Sequence, residues 1–275
     1  MKTAISLALL AGLAGCVIGT DADPPLSRDE FEARYIGVTH DDDGTARLYY
    51  DWDQPLDSAD QVDRLYEAYV AAKTGGETLS EATVNTNIYG QAVYWTAATA
   101  ANLTYCVSNS FGGYKASVTS AMTSAGNAWS NATGGRVRFV HRAEYDGTCN
   151  SGAPVVFDVR PAALGGPYAI AFFPGQARAS RNVRIDVARA FSGDYPFVGI
   201  LRHELGHTLG LRHETTRNEA VARYGAHCFE NIYHRPLTAY DELSVMTTPA
   251  CMGANLKNKS LTLSARDVAG IRLLY

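Results

Sequence analysis

The stretch Leu201-Arg202-His203-Glu204-Leu205-Gly206-His207-Thr208-Leu209-Gly210-Leu211-Arg212-His213-Glu214 decides how the remainder of the chain is interpreted. On a helix, His203 and His207 lie one turn apart on the same face, so their imidazoles converge on one point. Gly210 lets the chain leave the helix through a left-handed turn, which brings His213 round as a third ligand. Three imidazoles leave the fourth position of a zinc ion open to water. The stretch therefore predicts one catalytic zinc ion rather than a structural metal site.

Two further residues support this prediction. Glu204 follows the first histidine and can reach the metal-bound water as a general base. Met246, in Ser244-Val245-Met246, supplies the methionine turn that accompanies the extended histidine pattern. This methionine is expected to pack beneath the histidines as a hydrophobic floor and to bind nothing. The alternative, surface histidines on an amphipathic helix, explains neither the third histidine nor the methionine.

The beginning of the chain carries an export signal. The apolar run from 5 to 13 is too short to span a bilayer as a permanent helix. It ends in Leu13-Ala14-Gly15-Cys16, which resembles the lipobox of bacterial lipoproteins and implies that Cys16 is lipidated after removal of a signal peptide. An ordinary signal peptide cleaved nearby is the alternative. Both interpretations predict an exported protein, lipid-anchored at the outer membrane of the bacterial cell envelope or secreted, with membrane contact only through a lipid anchor.

Export determines how the other four cysteines are interpreted. Cys106, Cys149, Cys228 and Cys251 are an even number in an oxidising compartment, and none has the C-x-x-C spacing of a zinc site. Three pairings are possible. Cys106–Cys149 and Cys228–Cys251 are favoured because each closes a local loop.

The two parts of the chain differ in charge. Before residue 93 there are 6 basic and 16 acidic residues, whereas from residue 93 on there are 18 basic and 12 acidic residues. We therefore expect a signal peptide over 1–16, an acidic prosegment with a linker over 17–92, and a catalytic domain over 93–275. A solvated acidic face without a partner is the alternative. The scattered arginines of the second part, without interleaved aromatic residues, argue against nucleic acid.

The coarse periodicity indicates a fold with both strands and helices. Capping boxes at Ser27 and Ser58 begin two short helices of the acidic part, with a strand at about 45–51 between them, and the polar stretch to Asn87 is interpreted as a linker. In the second part, 115–131 has apolar residues at helical spacing. Strands are predicted at 102–107, 137–141, 155–159, 168–173 and 183–187, and a last helix begins at Ser264.

The second part resembles the metzincin zinc peptidases. It is astacin-like at the zinc motif and most similar to the HEIGH-type metallopeptidases that myxobacteria export. Besides 200–214, the resemblance rests on Leu103-Thr104-Tyr105-Cys106-Val107-Ser108, Val155-Val156-Phe157-Asp158-Val159-Arg160-Pro161, Arg181-Asn182-Val183-Arg184-Ile185-Asp186, Arg235-Pro236-Leu237-Thr238 and Ser244-Val245-Met246. It implies an α+β, zincin-like domain with a mixed, twisted sheet and an active-site helix, zinc on His203, His207 and His213, and a prosegment. It also implies that the strand at 168–173 is the sheet edge to which an extended peptide adds.

The chain departs from the astacin pattern after the methionine. Thr247-Thr248 stands where that family has His-Tyr, so the tyrosine that assists the zinc is missing, and Tyr240 does not occupy its position. Glu214 resembles the family glutamate that meets the new N-terminus after prosegment removal. A plain solvent-facing charge is the equally weighted alternative for Glu214.

These features together predict a monomeric zinc endopeptidase that acts on proteins or peptides. A catalytically silent zinc-binding surface lipoprotein and a cell-wall peptide amidase are the alternatives, although the intact Glu204 argues against the silent protein. Astacin-type prosegments place an aspartate on the zinc. In Tyr49-Tyr50-Asp51-Trp52-Asp53, Asp53 is the first candidate for such a cap and Asp51 the second, and a solvated turn aspartate is the alternative.

Overall fold

The structure is a computed structural model, and it describes residues 24–40, 46–50, 54–56, 59–73, 83–87, 91–228 and 234–275. Cys16, Asp51 and Asp53 lie outside the described residues, so the predicted lipidation and the predicted aspartate cap stay predictions. Across the described ranges, no helix combines the length and apolar character that a membrane crossing requires.

A five-stranded sheet forms the centre of the catalytic segment, by which we mean residues 93–275. Its strands are β5 (Leu103–Val107), β6 (Phe139–His141), β7 (Phe157–Pro161), β8 (Ala169–Ile170) and β9 (Asn182–Ile185). The order is β6-β5-β7-β9-β8, and every pairing is parallel except that of β8 with β9. The α+β class and the mixed sheet are confirmed.

The edge strand β8 is shorter than the sequence predicts. Only two residues of the predicted strand at 168–173 pair with a neighbour. Beyond Ile170 the chain turns into the core, where Phe172 is fully buried, and the Phe173 amide donates to the Gln176 side chain instead of a strand. An apolar run therefore indicates burial here, but it does not by itself indicate a strand.

Two long helices pack on one face of this sheet. They are α4 (Lys115–Ala132) and α6 (Phe197–Thr208), which carries the first two histidines of the motif. Trp129 of α4 is fully buried, and its indole Nε1 donates to the Arg202 carbonyl of α6 at 2.8 Å. Leu201, Leu205 and Leu209 are fully buried in the same core. The apolar side of the motif helix thus faces the core, which leaves its histidine side for the cleft.

The acidic part forms its own small unit. This N-terminal unit consists of α1 (Arg28–Tyr35), β1 (Ile36–His40), β2 (Ala46–Tyr50), β3 (Gln54–Leu56) and α2 (Ala59–Lys73). The Ser27 capping box is confirmed, whereas Ser58 lies outside the described residues. β1, β2 and β3 form an antiparallel sheet, and Phe31, Tyr35, Leu65 and Tyr69 form a small aromatic core.

The expectation of a linker reaching Asn87 is wrong for its last residues. Thr83–Asn85 forms β4, which pairs antiparallel with β10 (His234–Pro236). The pairing joins residues about 150 positions apart, which no local pattern of polar residues can reveal. The remaining helices of the described residues are α3 (Ala97–Ala100), α5 (Val187–Ala190), α7 (Asn218–Tyr224), α8 (Pro249–Met252) and α9 (Ala265–Leu274).

The structure contains the two disulfides that local loop closure favours. Cys106 is bonded to Cys149 and Cys228 to Cys251. The second bond joins the turn that follows α7 to α8, on the C-terminal side of the methionine turn.

Candidate active site

Three histidines converge at the C-terminal half of α6. The Nε2 atom of His203 lies 3.2 Å from the Nε2 atoms of both His207 and His213. All three side chains are buried, and within the described ranges this is the one group of three or more possible metal ligands whose atoms lie close together. Tetrahedral zinc with bonds of about 2.05 Å separates its nitrogen ligands by about 3.3 Å, so the observed spacing fits that ion.

The opposite ring nitrogens support this fit. His203 Nδ1 lies 2.8 Å from the Val245 carbonyl oxygen, and His207 Nδ1 lies 2.8 Å from the Leu211 carbonyl oxygen. A carbonyl accepts only, so each Nδ1 must carry the hydrogen. In the neutral form of both imidazoles the Nε2 lone pairs face each other, an arrangement that a cation would stabilise.

Gly210 makes the predicted turn to the third histidine. Its φ is +98°, and a Cβ atom at this position would lie 2.5 Å from the Val93 carbonyl oxygen. The turn is held by β4, because the Asn85 amide donates to the Gly210 carbonyl and the Arg212 amide donates to the Thr83 carbonyl. The stretch interpreted as a linker therefore supports the chain just before His213.

Met246 lies beneath α6 at Gly206, a residue whose role the sequence does not reveal. Met246 is 2 % exposed, and a Cβ atom on Gly206 would overlap its sulfur and lie 3.2 Å from Trp129 Cζ2. The absence of a side chain at this position lets the methionine and the tryptophan approach the helix. Met246 therefore packs against α6, and this contact requires glycine at position 206.

The methionine turn is anchored by Asp267 of α9, which the sequence indicates only as a helix cap. Its carboxylate accepts from the Ser244 hydroxyl at 2.6 Å and from the Val245 amide at 2.8 Å. It also accepts from the Ser264 amide in a capping box. A single buried carboxylate thus joins the last helix to the turn beneath the histidines.

Glu214 is not the solvent-facing charge that was one of its two interpretations. It is 4 % exposed, and its carboxylate accepts from Arg217 at 2.8 Å and from the Asp241 amide at 2.7 Å. Burial raises the pKa of the Glu214 carboxyl to about 8, and the nearby Arg217 opposes this rise. Arg217 is itself 1 % exposed, so the pair belongs to the interior beside the third histidine.

A cleft of about 500 Å³ opens beside the histidines. One wall of the cleft comes from α6, with Ile200, His203 and Glu204. Another comes from the start of β8 and the residues before it, namely Gly166, Pro167, Tyr168 and Ala169. The remaining lining residues of the catalytic segment are Arg189, Tyr195, His227, Thr247, Thr248, Pro249, Ala250 and Leu261. Glu204 is 3 % exposed. The cleft is a site where a bound chain can meet Glu204 and His203 together.

The two threonines after Met246 are engaged locally. The Thr247 hydroxyl donates to the Ser244 carbonyl, and the Thr248 hydroxyl accepts from the Cys251 amide as the N-cap of α8. His227, which lacks ligand spacing in the sequence, lines the cleft and has its Nε2 atom 3.0 Å from the Cys251 carbonyl oxygen. Only the disulfide-linked turn brings this histidine to the cleft.

The N-terminal unit also reaches the cleft. Arg34 and Tyr35, at the end of α1, are among its lining residues together with His203 and Glu204. The Arg34 guanidinium lies over the Tyr35 ring, 5.7 Å from its centroid. Neither residue carries a signal in the sequence for such a position.

A comparison with models of known protein families identifies the family of this chain. The family model described as Matrixin matches residues 94–233, which include the three histidines and Glu204. The chain belongs to the matrixin family. Matrixins are zinc metalloendopeptidases, so this matrixin is a zinc-dependent peptidase with a metzincin-type fold. The predictions of fold class, enzyme class and zinc dependence are confirmed, and the HEIGH subtype stays a prediction.

Solved structures show a looser likeness. A crystal structure of myroilysin has 18 % identity and a TM-score of 0.45, and the match covers 66 % of this matrixin and 86 % of that chain. A hatching enzyme zinc-protease of the medaka fish Oryzias latipes has 17 % identity and a TM-score of 0.39, over 72 % of this chain and 98 % of that one. No curated protein matches the sequence. The family assignment rests on the sequence match.

Proposed function

We propose that this matrixin hydrolyses internal peptide bonds of proteins, with a single zinc ion held by His203, His207 and His213 and with Glu204 as the general base. The observation that carries the proposal is the convergence of three Nε2 atoms, two of them with their opposite nitrogens committed to backbone carbonyls. Such second contacts fix ring orientation and raise the basicity of the ligand nitrogen.

The chemistry follows from the positions of the side chains. When bound, zinc supplies a water of lowered pKa and polarises the scissile carbonyl. Glu204 lines the cleft, follows the first ligand and is shielded from solvent, so its carboxylate can take the proton of the attacking water. The same carboxyl then returns the proton to the leaving amine.

Substrate binding is proposed at the edge of the sheet. β8 is a terminal strand of the sheet, and its Ala169 lines the cleft together with the preceding Tyr168. An extended peptide that pairs with this edge would place its backbone across the mouth of the cleft. A strand of two residues offers few hydrogen bonds, so side-chain contacts in the cleft must contribute much of the affinity.

We further propose that the N-terminal unit belongs to a prosegment that keeps the enzyme latent. The contrast between an acidic part and a basic catalytic segment supports this, and so do Arg34 and Tyr35 in the cleft. Export with lipidation at Cys16, a monomeric state and membership of the HEIGH-type group complete the proposal, on the sequence resemblance alone.

The test replaces the base and keeps the ligands. Glu204→Ala should bind zinc in near-stoichiometric amount and lose hydrolysis of casein by several orders of magnitude. Glu144→Ala, which removes an exposed carboxylate outside the cleft, is the matched control and should retain full activity. Full activity in the zinc-loaded Glu204→Ala protein would refute the mechanism.

The same assays separate the alternatives. The silent-lipoprotein alternative draws on Thr247-Thr248, and it predicts zinc binding without cleavage in the wild-type protein. The amidase alternative predicts cleavage of cell-wall peptides with casein left intact. Cleavage of casein that a chelator abolishes selects the endopeptidase.

A further inference from the structure

The N-terminal unit contacts the catalytic segment at two separate places. At the first, Val221 of α7 packs against its aromatic core, which includes Phe31 and Tyr35. At the second, Tyr49 of β2 forms a buried cluster with Leu164 and Ile170 of the catalytic segment. Arg34 and Tyr35 of the same unit line the cleft.

The second contact is centred on a buried arginine. Arg184 lies in β9 between Val183 and Ile185, whose side chains are in the main core, so its own side chain points to the opposite, outer face of the sheet. Arg184 is only 5 % exposed. Its Nη1 atom donates to the Thr39 hydroxyl and to the Tyr49 hydroxyl, both at 3.0 Å, and its Nη2 atom donates to the His40 carbonyl.

The acceptors form one preorganised group. Thr39 and Tyr49 lie on the paired strands β1 and β2, and their hydroxyl oxygens are 2.8 Å apart. Both residues are at most 5 % exposed. Arg47, from the same strand as Tyr49, donates to the Ser180 hydroxyl at 2.8 Å and extends the contact along the sheet. A planar guanidinium with several donors suits such a cluster of fixed oxygen acceptors better than a lysine would.

We propose that the outer face of the sheet around Arg184 is the anchoring site of the N-terminal unit, and that this contact, away from the metal ligands, holds Arg34 and Tyr35 in the cleft. The proposal rests on the proposed function, since it assigns the latency of that enzyme to a surface outside its cleft. Burying a guanidinium without hydrogen-bond acceptors costs free energy, and the acceptors on the N-terminal unit offset that cost. The two surfaces are therefore complementary in their hydrogen-bonding groups. After the unit leaves, Arg184 returns to water and the cleft is open.

The experiment compares the uncleaved chain with the enzyme from which the N-terminal unit has been removed. The uncleaved chain is purified without metal, zinc is added at the start of the assay, and mass spectrometry checks that it stays intact. Hydrolysis of a short fluorogenic peptide is measured for wild type, Arg184→Gln and Tyr49→Phe. Arg138→Gln is the matched control, because Arg138 is exposed next to β6, at the opposite edge of the sheet.

Arg184→Gln should raise the rate of the uncleaved chain by about tenfold or more, because a hydrogen bond to a charged group is lost in the closed state. Tyr49→Phe keeps the ring on Leu164 and Ile170 and should raise the rate by a smaller factor. The double variant should hydrolyse the peptide faster than Arg184→Gln alone, but by a smaller factor than Tyr49→Phe produces in the wild-type background. The reason is that the Arg184 guanidinium and the Tyr49 hydroxyl share one hydrogen bond. Once cleaved, the Arg184→Gln enzyme should be as active as the cleaved wild type, and Arg138→Gln should change neither form.

A second measurement does not depend on activity. Amide hydrogen exchange of the zinc-free uncleaved chain should be about tenfold faster in β1 and β2 of the Arg184→Gln variant and unchanged in α4. Unchanged exchange and unchanged latency in both Arg184→Gln and Tyr49→Phe would overturn the anchoring site, as would a loss of activity in the cleaved Arg184→Gln enzyme. If the cleaved wild-type enzyme is inactive, the proposed function fails, while the exchange result still decides the anchor.

Discussion

Replacing Gly206 by alanine tests the packing beneath the metal ligands. In the interior of a helix such as α6, this change ordinarily stabilises the helix by about 1 kcal/mol, since alanine restricts the unfolded chain and has the higher helix propensity. Here the added methyl group would overlap the Met246 sulfur and approach Met246 Cε and Trp129 Cζ2 to 3.2 Å. The two effects on the free energy of unfolding therefore oppose each other.

The packing effect should win. Overpacking a core costs about 1–3 kcal/mol, and the upper part of that range applies because Trp129 is fully buried and Met246 is 2 % exposed. After subtraction of the helix gain, Gly206→Ala should destabilise the protein by about 1–2 kcal/mol. At a slope of about 2–4 °C per kcal/mol, the Tm should fall by several degrees.

The assay is urea unfolding of the metal-free protein, followed by zinc titration of the folded form. Met246→Ala should cost less stability in the Gly206→Ala background than in wild type, since the methyl group can enter the space that the methionine leaves. The double variant should therefore lose less stability than the sum of the two single variants. A Gly206→Ala protein more stable than wild type, or no coupling to Met246, would refute the account.

Three further predictions concern other parts of the domain. Asp267→Asn should lower the free energy of unfolding in urea by about 1–3 kcal/mol and weaken zinc binding, because the single oxygen of the amide cannot replace both carboxylate oxygens that accept from Ser244 and from the backbone. Asp29→Asn changes an exposed side chain and should have neither effect. Hydrogen bonds from Lys257 and other donors lower the pKa of Glu242 from its ordinary 4.5 to about 2, so this group stabilises the fold above pH 4.5 and loses that contribution as the pH falls through 2. Between pH 5 and pH 2, the free energy of unfolding should thus fall more steeply with pH for wild type than for Glu242→Gln. Parallel curves of this free energy against pH would contradict the assignment. Removal of the Cys228–Cys251 disulfide by paired alanine substitutions should cost about 3 kcal/mol, and an unchanged unfolding midpoint would show that the bond does not stabilise this wall of the cleft.

Several helices and both disulfides could be predicted because their signals are local. Helical spacing of apolar residues predicts α4 and the capping boxes predict α1 and α9, since the side chains that decide these elements lie within a few residues of one another. The histidine spacing predicts a shared helix face for the same reason. Loop length likewise favours the two disulfides found in the structure.

The features that sequence analysis missed or left open depend on contacts with residues elsewhere in the chain. Thr83–Asn85 is polar and short, yet it pairs with β10 and supports the turn at Gly210. The buried position of Glu214 depends on Arg217 and on the Asp241 amide, which the chain brings together only when it folds. His227 reaches the cleft on a turn held by a disulfide to α8.

The sequence by itself determined the ligand type, the spacing of two histidines on one helix and the presence of a base beside them, because covalent order and helix geometry fix these relations. Only the tertiary structure decided that the Nδ1 atoms of two ligands are committed to carbonyls and that Gly206 makes room for Met246. It alone brought Arg184 to the hydroxyls of the N-terminal unit, more than 130 residues away. Contacts of this kind depend on how separate segments pack, and packing complementarity between distant surfaces leaves no periodic trace in a single chain.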